Sequence, residues 1–337
     1  MMSVTIDGSM GEGGGQILRT SLSLSALTQN PVRITNIRAG RPNPGLRAQH
    51  LTSLRAIGAI NKGAFEGGEL GSSEVSFHPG ITEAGRYEFD IGTAGSVTLL
   101  IHTLLPPLLY CDKASEITVI GGTDVPWSPT TSYYRNVTLA FLKRMGIDAH
   151  LDVLEHGYYP KGGGSATISI KPWKKERPIG KIKVVAPDRA LIESCAHGLG
   201  SGLAERQASA AKKELGMIDA EVLIEENGRG QGNALTISAW AGDVPIGCSS
   251  IGRKGYSPED LGRDAAREFI KIVSRERCDQ HLPDQIVPLM FLKGEEAVLP
   301  IPGITGHLST NLDVTKRFMD IEYEITEEKM KIKGIRR

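Results

Sequence analysis

Apolar residues recur along this chain at two spacings, one close to two residues and one between three and four, and the alternation between them marks out strands and helices. Ser3–Asp7 reads as a strand, Gly14–Leu27 as a helix, Val32–Ile37 as a strand and Leu46–Ile60 as a helix, with two more strands ending near Phe77. This is a βαβαββ unit. The same order returns from Arg86: a strand to Ile91, helix Ser96–Leu109, strand Glu116–Ile120, helix Tyr133–Met145, and strands Asp148–Leu154 and Ser165–Ile170. Near the end it returns again as helix His281–Leu292, strand Ala297–Ile301, helix Leu308–Phe318 and a hairpin Ile321–Ile332. The third copy lacks an adjacent first strand, and Lys181–Val185 is the nearest candidate. About a hundred residues then separate that strand from the next helix, which is a domain-sized length. The pattern predicts an α/β (α+β) protein: a large domain, 1–185 plus 278–337, made of three repeated βαβαββ units, and an inserted small α/β domain at 186–277. Two unrelated α/β domains would leave a similar trace.

Composition narrows the function classes. The chain has 337 residues, 40% hydrophobic and 23% charged, enough to bury a core without disulfide or metal staples. Thirty-nine basic residues balance thirty-nine acidic ones, so no overall field draws it to polyanions, and any polyanion site is local. The longest nearly apolar stretch, Val97–Tyr110, is too short for a bilayer and contains His102, Pro106 and Pro107, so no membrane partner is expected. Met1–Met10 lacks the basic-then-apolar pattern of a secretory signal, and a cytoplasmic location is the expectation. Cys111, Cys195, Cys248 and Cys278 lie far apart with no C-x-x-C pair, which predicts reduced thiols rather than a zinc knuckle or disulfide framework.

Three groups of residues carry candidate chemistry. Gly11-Glu12-Gly13-Gly14-Gly15-Gln16 lies between a strand and a helix, where free backbone N–H groups and the helix dipole favour an anion. Its spacing fits neither a dinucleotide fingerprint nor a P-loop. Glu12 opposes a bare phosphate but suits a divalent cation placed between them; a tight turn that merely permits close packing is the alternative. Second, residues 1–60 hold six arginines, no lysine and only two carboxylates, Asp7 and Glu12. Arg19, Arg38, Arg41 and Arg47, with Gln49 and His50, follow or flank a Gly/Pro-rich loop, and their planar forks suit phosphate oxygens. Third, Asp284-Gln285 pairs with His307, which sits between the loop Pro300–Gly306 and a helical pattern. A helix N-terminus disfavours imidazolium and keeps the ring neutral and nucleophilic near pH 7. Capping or packing is the competing role for such a histidine. The other histidines show no metal-ligand spacing.

Taken together, Asp7–Arg19, Ile37–Leu46, Gly121-Gly122-Thr123-Asp124, His156–Gly164, Asp284-Gln285 and His307–Phe318 closely resemble the RNA 3'-terminal phosphate cyclase family, over nearly the whole chain. The resemblance implies three βαβαββ units around a pseudo-threefold axis with a small inserted domain. It implies an ATP-dependent enzyme of the ligase class, acting on RNA 3'-phosphate ends to form 2',3'-cyclic phosphates through a covalent histidine-AMP and an RNA-adenylate. His307 matches the family's nucleophile. Glu12 would hold the divalent metal, Mg or Mn, while Arg19, Arg38, Arg41, Gln49 and His50 would grip phosphates of ATP or RNA. Asp284 and Gln285 would lie beside His307, with Asp284 helping metal or orientation, and Pro129 would form one face of the adenine pocket. The chain departs from bacterial members twice: His281 stands where they stack an aromatic ring on adenine, and His102 stands where they carry a glutamine near the nucleotide. Non-catalytic relatives in ribosome assembly lack the nucleophilic histidine, which His307 speaks against; enolpyruvyl transferases share the three-unit architecture but give His307 no task. Oligomeric state is left open, a homo-oligomer included.

Overall fold

The computed structural model describes residues 3–175, 179–180 and 182–335. It is a mixed α/β structure with four mixed or antiparallel sheets. The first sheet carries Val4–Asp7, Val32–Thr35, Ala64–Glu66 and Val75–His78 in the spatial order first, second, fourth, third. Its first two strands are parallel and the other neighbours antiparallel. A parallel pair needs a crossover, and helix Gly15–Thr28 supplies it. The second sheet repeats this order with Arg86–Asp90, Ser115–Gly121, Ala149–Gly157 and Gly164–Ile170; Val97–Leu108 is its crossover helix. That helix is buried nearly all round, as its predominantly apolar sequence dictates, and Ser96 caps it by accepting from Leu99 N–H.

The third sheet has three antiparallel strands, ordered Ala297–Pro300, Lys329–Ile335, Ile321–Ile325. The strand expected at Lys181–Val185 does not form: Ile182–Val185 is irregular, and Lys181 lies outside the described residues. Backbone groups there bond elsewhere. Lys183 N–H donates to Asp243 Oδ2, and Lys183 C=O accepts from Asp243 N–H. Ile182 is buried, so its apolar character reports packing rather than pairing. The fourth sheet, ordered Asp219–Glu225, Arg189–His197, Gly232–Ala241, Val244–Ile251, is covered by helices Leu203–Leu215 and Pro258–Val273 packed on each other.

The core lies where helices from the first, second and third sheets meet. Gly15–Thr28 packs against Gly306–Phe318, Val97–Leu108 and Ala48–Asn61, and Leu282–Lys293 packs against Gly306–Phe318. The helix expected at Tyr133–Met145 starts earlier and is not regular: Tyr134–Leu139 is π-helical between short α-helical pieces Thr131–Tyr133 and Ala140–Arg144. Within that stretch Arg135 and Asn136 both donate to the buried Glu193 of strand Arg189–His197. Among the described residues no helix is long and apolar enough to cross a membrane.

Candidate active site

Of the residues singled out from the sequence, all but Arg47 line one cavity of about 1100 Å³: Glu12, Arg19, Arg38, Arg41, Gln49, His50, His102, Pro129, His281, Asp284, Gln285 and His307. Helix Gly15–Thr28 opens onto it. Its N-cap, Gly14, provides no side-chain cap and its first turn holds no carboxylate, so the leading N–H groups keep their capacity to bind an anion. Gly15 is required by crowding. A Cβ there would lie 2.2 Å from His50 Nε2 and 2.9 Å from an Arg19 terminal nitrogen.

The basic groups divide into braces and free charges. Arg38 donates to the carbonyls of Asn43 and Gly45, at 2.5 and 3.1 Å, and so holds its own loop; Arg41 donates to Glu12 C=O at 3.0 Å. Arg47 N–H donates to His50 Nδ1 at 3.2 Å, which fixes the proton of a neutral His50 on Nε2. Burial, reinforced by the charges of Arg19, Arg38 and Arg47, pushes His50 down to about 3, so neutral it stays. Arg47 itself does not line the cavity. Arg19 has no hydrogen bond or ion pair to any described residue. Burial lowers it to about 10, so it keeps its charge at neutral pH without a protein counter-ion.

His307 occupies the second position of helix Gly306–Phe318, whose N-cap Thr305 accepts from Leu308 N–H. Its Nδ1 lies 2.6 Å from Gln16 Oε1 and 3.1 Å from Glu12 Oε2. Gln16 Nε2 donates to His307 C=O at 3.3 Å, which settles the amide orientation. Nδ1 therefore carries the proton in the neutral ring, and Nε2 keeps its lone pair. Burial is the main cause that lowers the imidazole below its ordinary value; Glu12 opposes it, while Arg19, His281 and Arg41 add to it. Glu12 comes this close because residue 306 is glycine: a Cβ there would meet Glu12 Oε1 at 2.5 Å.

Asp284 stands behind this group. Thr305 Oγ1 donates to its Oδ1 at 2.7 Å, and Asn311 donates to its backbone carbonyl. Burial raises its carboxyl to about 7, so near neutrality it is half protonated. Thr20 donates to Asn311 at 2.7 Å, which ties helix Gly15–Thr28 to the helix that bears His307. Gln285 accepts from Thr138 at 2.6 Å, Gln49 accepts from Ser96 N–H at 2.9 Å, and Pro129 C=O accepts from Thr98. Burial pushes His102 down to about 4, next to Tyr134 Oη at 3.4 Å. His281 is exposed, its ring edge-on to Tyr133.

Residue spacing gives little sign of the parts played by Gln16 and Thr305, or of Trp127 and Tyr159, two further residues of the cavity lining. For Thr305 a signal existed, since threonine three residues ahead of an apolar position is an N-cap pattern. It also offered no metal motif, yet the fold brings Asp124, His156 and Cys195 together with ligand atoms within 4.8 Å of one another. Both ring nitrogens of His156 are already engaged, Nδ1 with Asp124 Oδ2 and Nε2 with Glu225 Oε2, each at 2.6 Å. Two carboxylate partners make this an imidazolium clamp between the second and fourth sheets.

Comparison with known proteins agrees over nearly the full length. Residues 10–325 match the family described as RNA 3'-terminal phosphate cyclase. The chain is 40% identical over 326 residues to an RNA 3'-terminal phosphate cyclase of Pyrococcus furiosus, covering 96% of this chain and 95% of the relative. It is 41% identical over 337 residues to one of Methanopyrus kandleri, covering 96% of each. A solved structure of EPSP synthase from Acinetobacter baumannii aligns with 98% of this chain and 65% of its own, with a TM-score of 0.35 and 14% identity. The two archaeal relatives and the span of the family match place this chain in the RNA 3'-terminal phosphate cyclase family.

Proposed function

We propose that the protein uses ATP to convert an RNA 3'-phosphate end into a 2',3'-cyclic phosphate, with His307 as the nucleophile. The observation that carries this is the pairing of His307 Nδ1 with Gln16 and Glu12, which leaves Nε2 free in a cavity that also holds the uncompensated Arg19. In the first step the Nε2 lone pair attacks the α-phosphorus of ATP, pyrophosphate leaves, and a phosphoramidate forms. An oxygen of the RNA 3'-phosphate then attacks that phosphorus, and the imidazole departs. Finally the neighbouring 2'-oxygen attacks the activated 3'-phosphorus, AMP leaves, and the hydroxyl proton is lost to solvent or base. Arg19, Arg38, Arg41 and the N–H groups that open helix Gly15–Thr28 stabilise charge on the phosphates. His50 donates from Nε2–H, and Pro129 and His281 flank the base of ATP. Asp284, bonded to Thr305, positions the turn that presents His307.

A divalent cation such as Mg or Mn fits Glu12: its carboxylate lines the cavity and is partly exposed, and hard oxygen donors suit such an ion. Bound there, it would neutralise phosphate oxygens. We also read the body as three units around a pseudo-threefold axis with 186–277 as a separate inserted domain. The strand order shared by the first two sheets, and matched in the third apart from its first strand, supports that reading. The test is α-labelled ATP with a divalent metal, followed by a denaturing gel. Label should attach, survive alkali, be lost in acid, and be absent in His307→Ala. Label that attaches equally to that variant overturns the mechanism, as does equal cyclisation of RNA ending in 2'-deoxyribose 3'-phosphate.

A further inference from the structure

At the rim of the cavity stand two aromatic side chains that the reaction steps leave without a task. Trp127 is 99% exposed and Tyr159 is 68% exposed, although a soluble chain gains most by burying rings of this size. Neither the indole N–H nor the phenol hydroxyl bonds to any described residue. Trp127 also holds φ at +67°, a left-handed conformation unfavourable for a bulky residue. The loops that carry the rings are joined: Asp124 and Tyr158 form a parallel backbone bridge, three residues before Trp127 and one before Tyr159. Beside them Asp124 and His156 are buried, with the half-exposed Glu225 closing the clamp, and Ser128 Oγ donates to Val125 C=O to close the turn. Tyr158 is buried where its neighbour Tyr159 points outward. Two large rings are thus presented to solvent from a braced base. Lys161, exposed and two residues beyond Tyr159, has no carboxylate partner among the described residues.

We propose that Trp127 and Tyr159 form a stacking platform for the bases of single-stranded RNA at and just upstream of the 3'-phosphate, with Lys161 on the backbone. Unstacked bases are recognised by aromatic faces, and such stacking tolerates any base sequence. ATP is compact and is held within the cavity, whereas an RNA chain whose end reaches His307 must leave across the rim. The inference rests on the cyclase reading of the cavity and assigns where the strand runs.

The test measures KM for a short 3'-phosphate RNA, and separately labelling of His307 by ATP alone. Trp127→Ala is expected to raise KM for RNA about tenfold, the scale of one lost stack, with kcat within twofold, and Trp127→Phe to recover most of it. RNA with abasic residues at its last two positions should lose at least that factor on the native protein and nothing further on the Trp127→Ala, Tyr159→Ala double variant. Unchanged KM for RNA in Trp127→Ala, Tyr159→Ala and the double variant overturns the platform. A weakened dependence on ATP in the RNA-free step overturns it too, since the rings would then serve the adenine. Should the native protein take no label, the cyclase reading fails by itself. RNA binding read by fluorescence anisotropy then still decides the platform, supporting it if the variants weaken binding and refuting it if they do not.

Discussion

Gln16 is the residue on which the chemistry proposed for His307 turns, and replacing it isolates one physical quantity. In the native arrangement Gln16 Oε1 at 2.6 Å and Glu12 Oε2 at 3.1 Å both accept from Nδ1–H. Gln16→Ala removes the shorter bond and leaves the longer. A hydrogen bond is worth about 0.5–1.5 kcal/mol net, and about 1.4 kcal/mol is tenfold. The ratio of the reactive tautomer to the other should fall about three- to tenfold, and the ring loses an orienting contact, so labelling by α-labelled ATP should slow by up to that factor. Gln16→Glu tests the same contact through charge. A second carboxylate beside the ring favours imidazolium and should raise its pKa by about one unit or more. Native His307 is held below its ordinary value, chiefly by burial, so its nucleophilic neutral form survives on the acid side of pH 6.5. In Gln16→Glu the rate should begin to fall at a higher pH. Single-turnover labelling at saturating ATP between pH 5 and 8 reads both effects. A rate within twofold of native for Gln16→Ala, together with an unmoved midpoint for Gln16→Glu, would refute the assignment of Nε2 as the free nitrogen.

Other consequences follow from the same geometry. Gly15→Ala drives a methyl into His50 and Arg19, and should cost about 1–3 kcal/mol in denaturant unfolding along with a weaker ATP dependence. Asp284 has a folded pKa near 7, raised by burial from 3.8, so its contribution to stability is fully present below pH 3.8 and lost as pH rises through 7. Asp284→Asn should flatten the decline in unfolding midpoint between pH 4 and 8; an unchanged slope would deny that Asp284 is its source. For His156, burial alone would lower the imidazole, but Asp124 and Glu225 outweigh it and hold it well above its ordinary value. Its stabilising effect is complete below pH 6.5 and lost only as pH climbs through that raised pKa. His156→Ala leaves Asp124 buried without its partner and should cost about 3 kcal/mol, measured at pH 7 by urea unfolding. Arg19→Ala should raise KM for ATP, and inorganic pyrophosphate should stabilise the native protein against heat more than it stabilises that variant.

Periodicity located nearly every helix and strand of the first three sheets and their helices to within a few residues because those choices are local. The apolar stripe of Gly15–Thr28 and the alternation in Ser115–Gly121 are written in adjacent positions. The glycine run at 11–15 and the arginines of the loop after Ile37 stood out in the sequence by composition, and the fold places Glu12, Gly14, Gly15, Arg38 and Arg41 on one cavity. Three features were not. Ile182–Val185 looks like a strand by composition, but pairing depends on a partner, and its backbone groups found Asp243 instead. The π-helical turn at Tyr134–Leu139 leaves the apolar pattern intact while changing the hydrogen-bond register. The acceptors of His307 lie 291 residues away for Gln16 and four residues farther for Glu12, and they meet it only because helix Gly15–Thr28 packs on helix Gly306–Phe318. The chain alone determined which residue types are available; the packing of two helices from opposite ends decided which nitrogen of one imidazole is left without a partner.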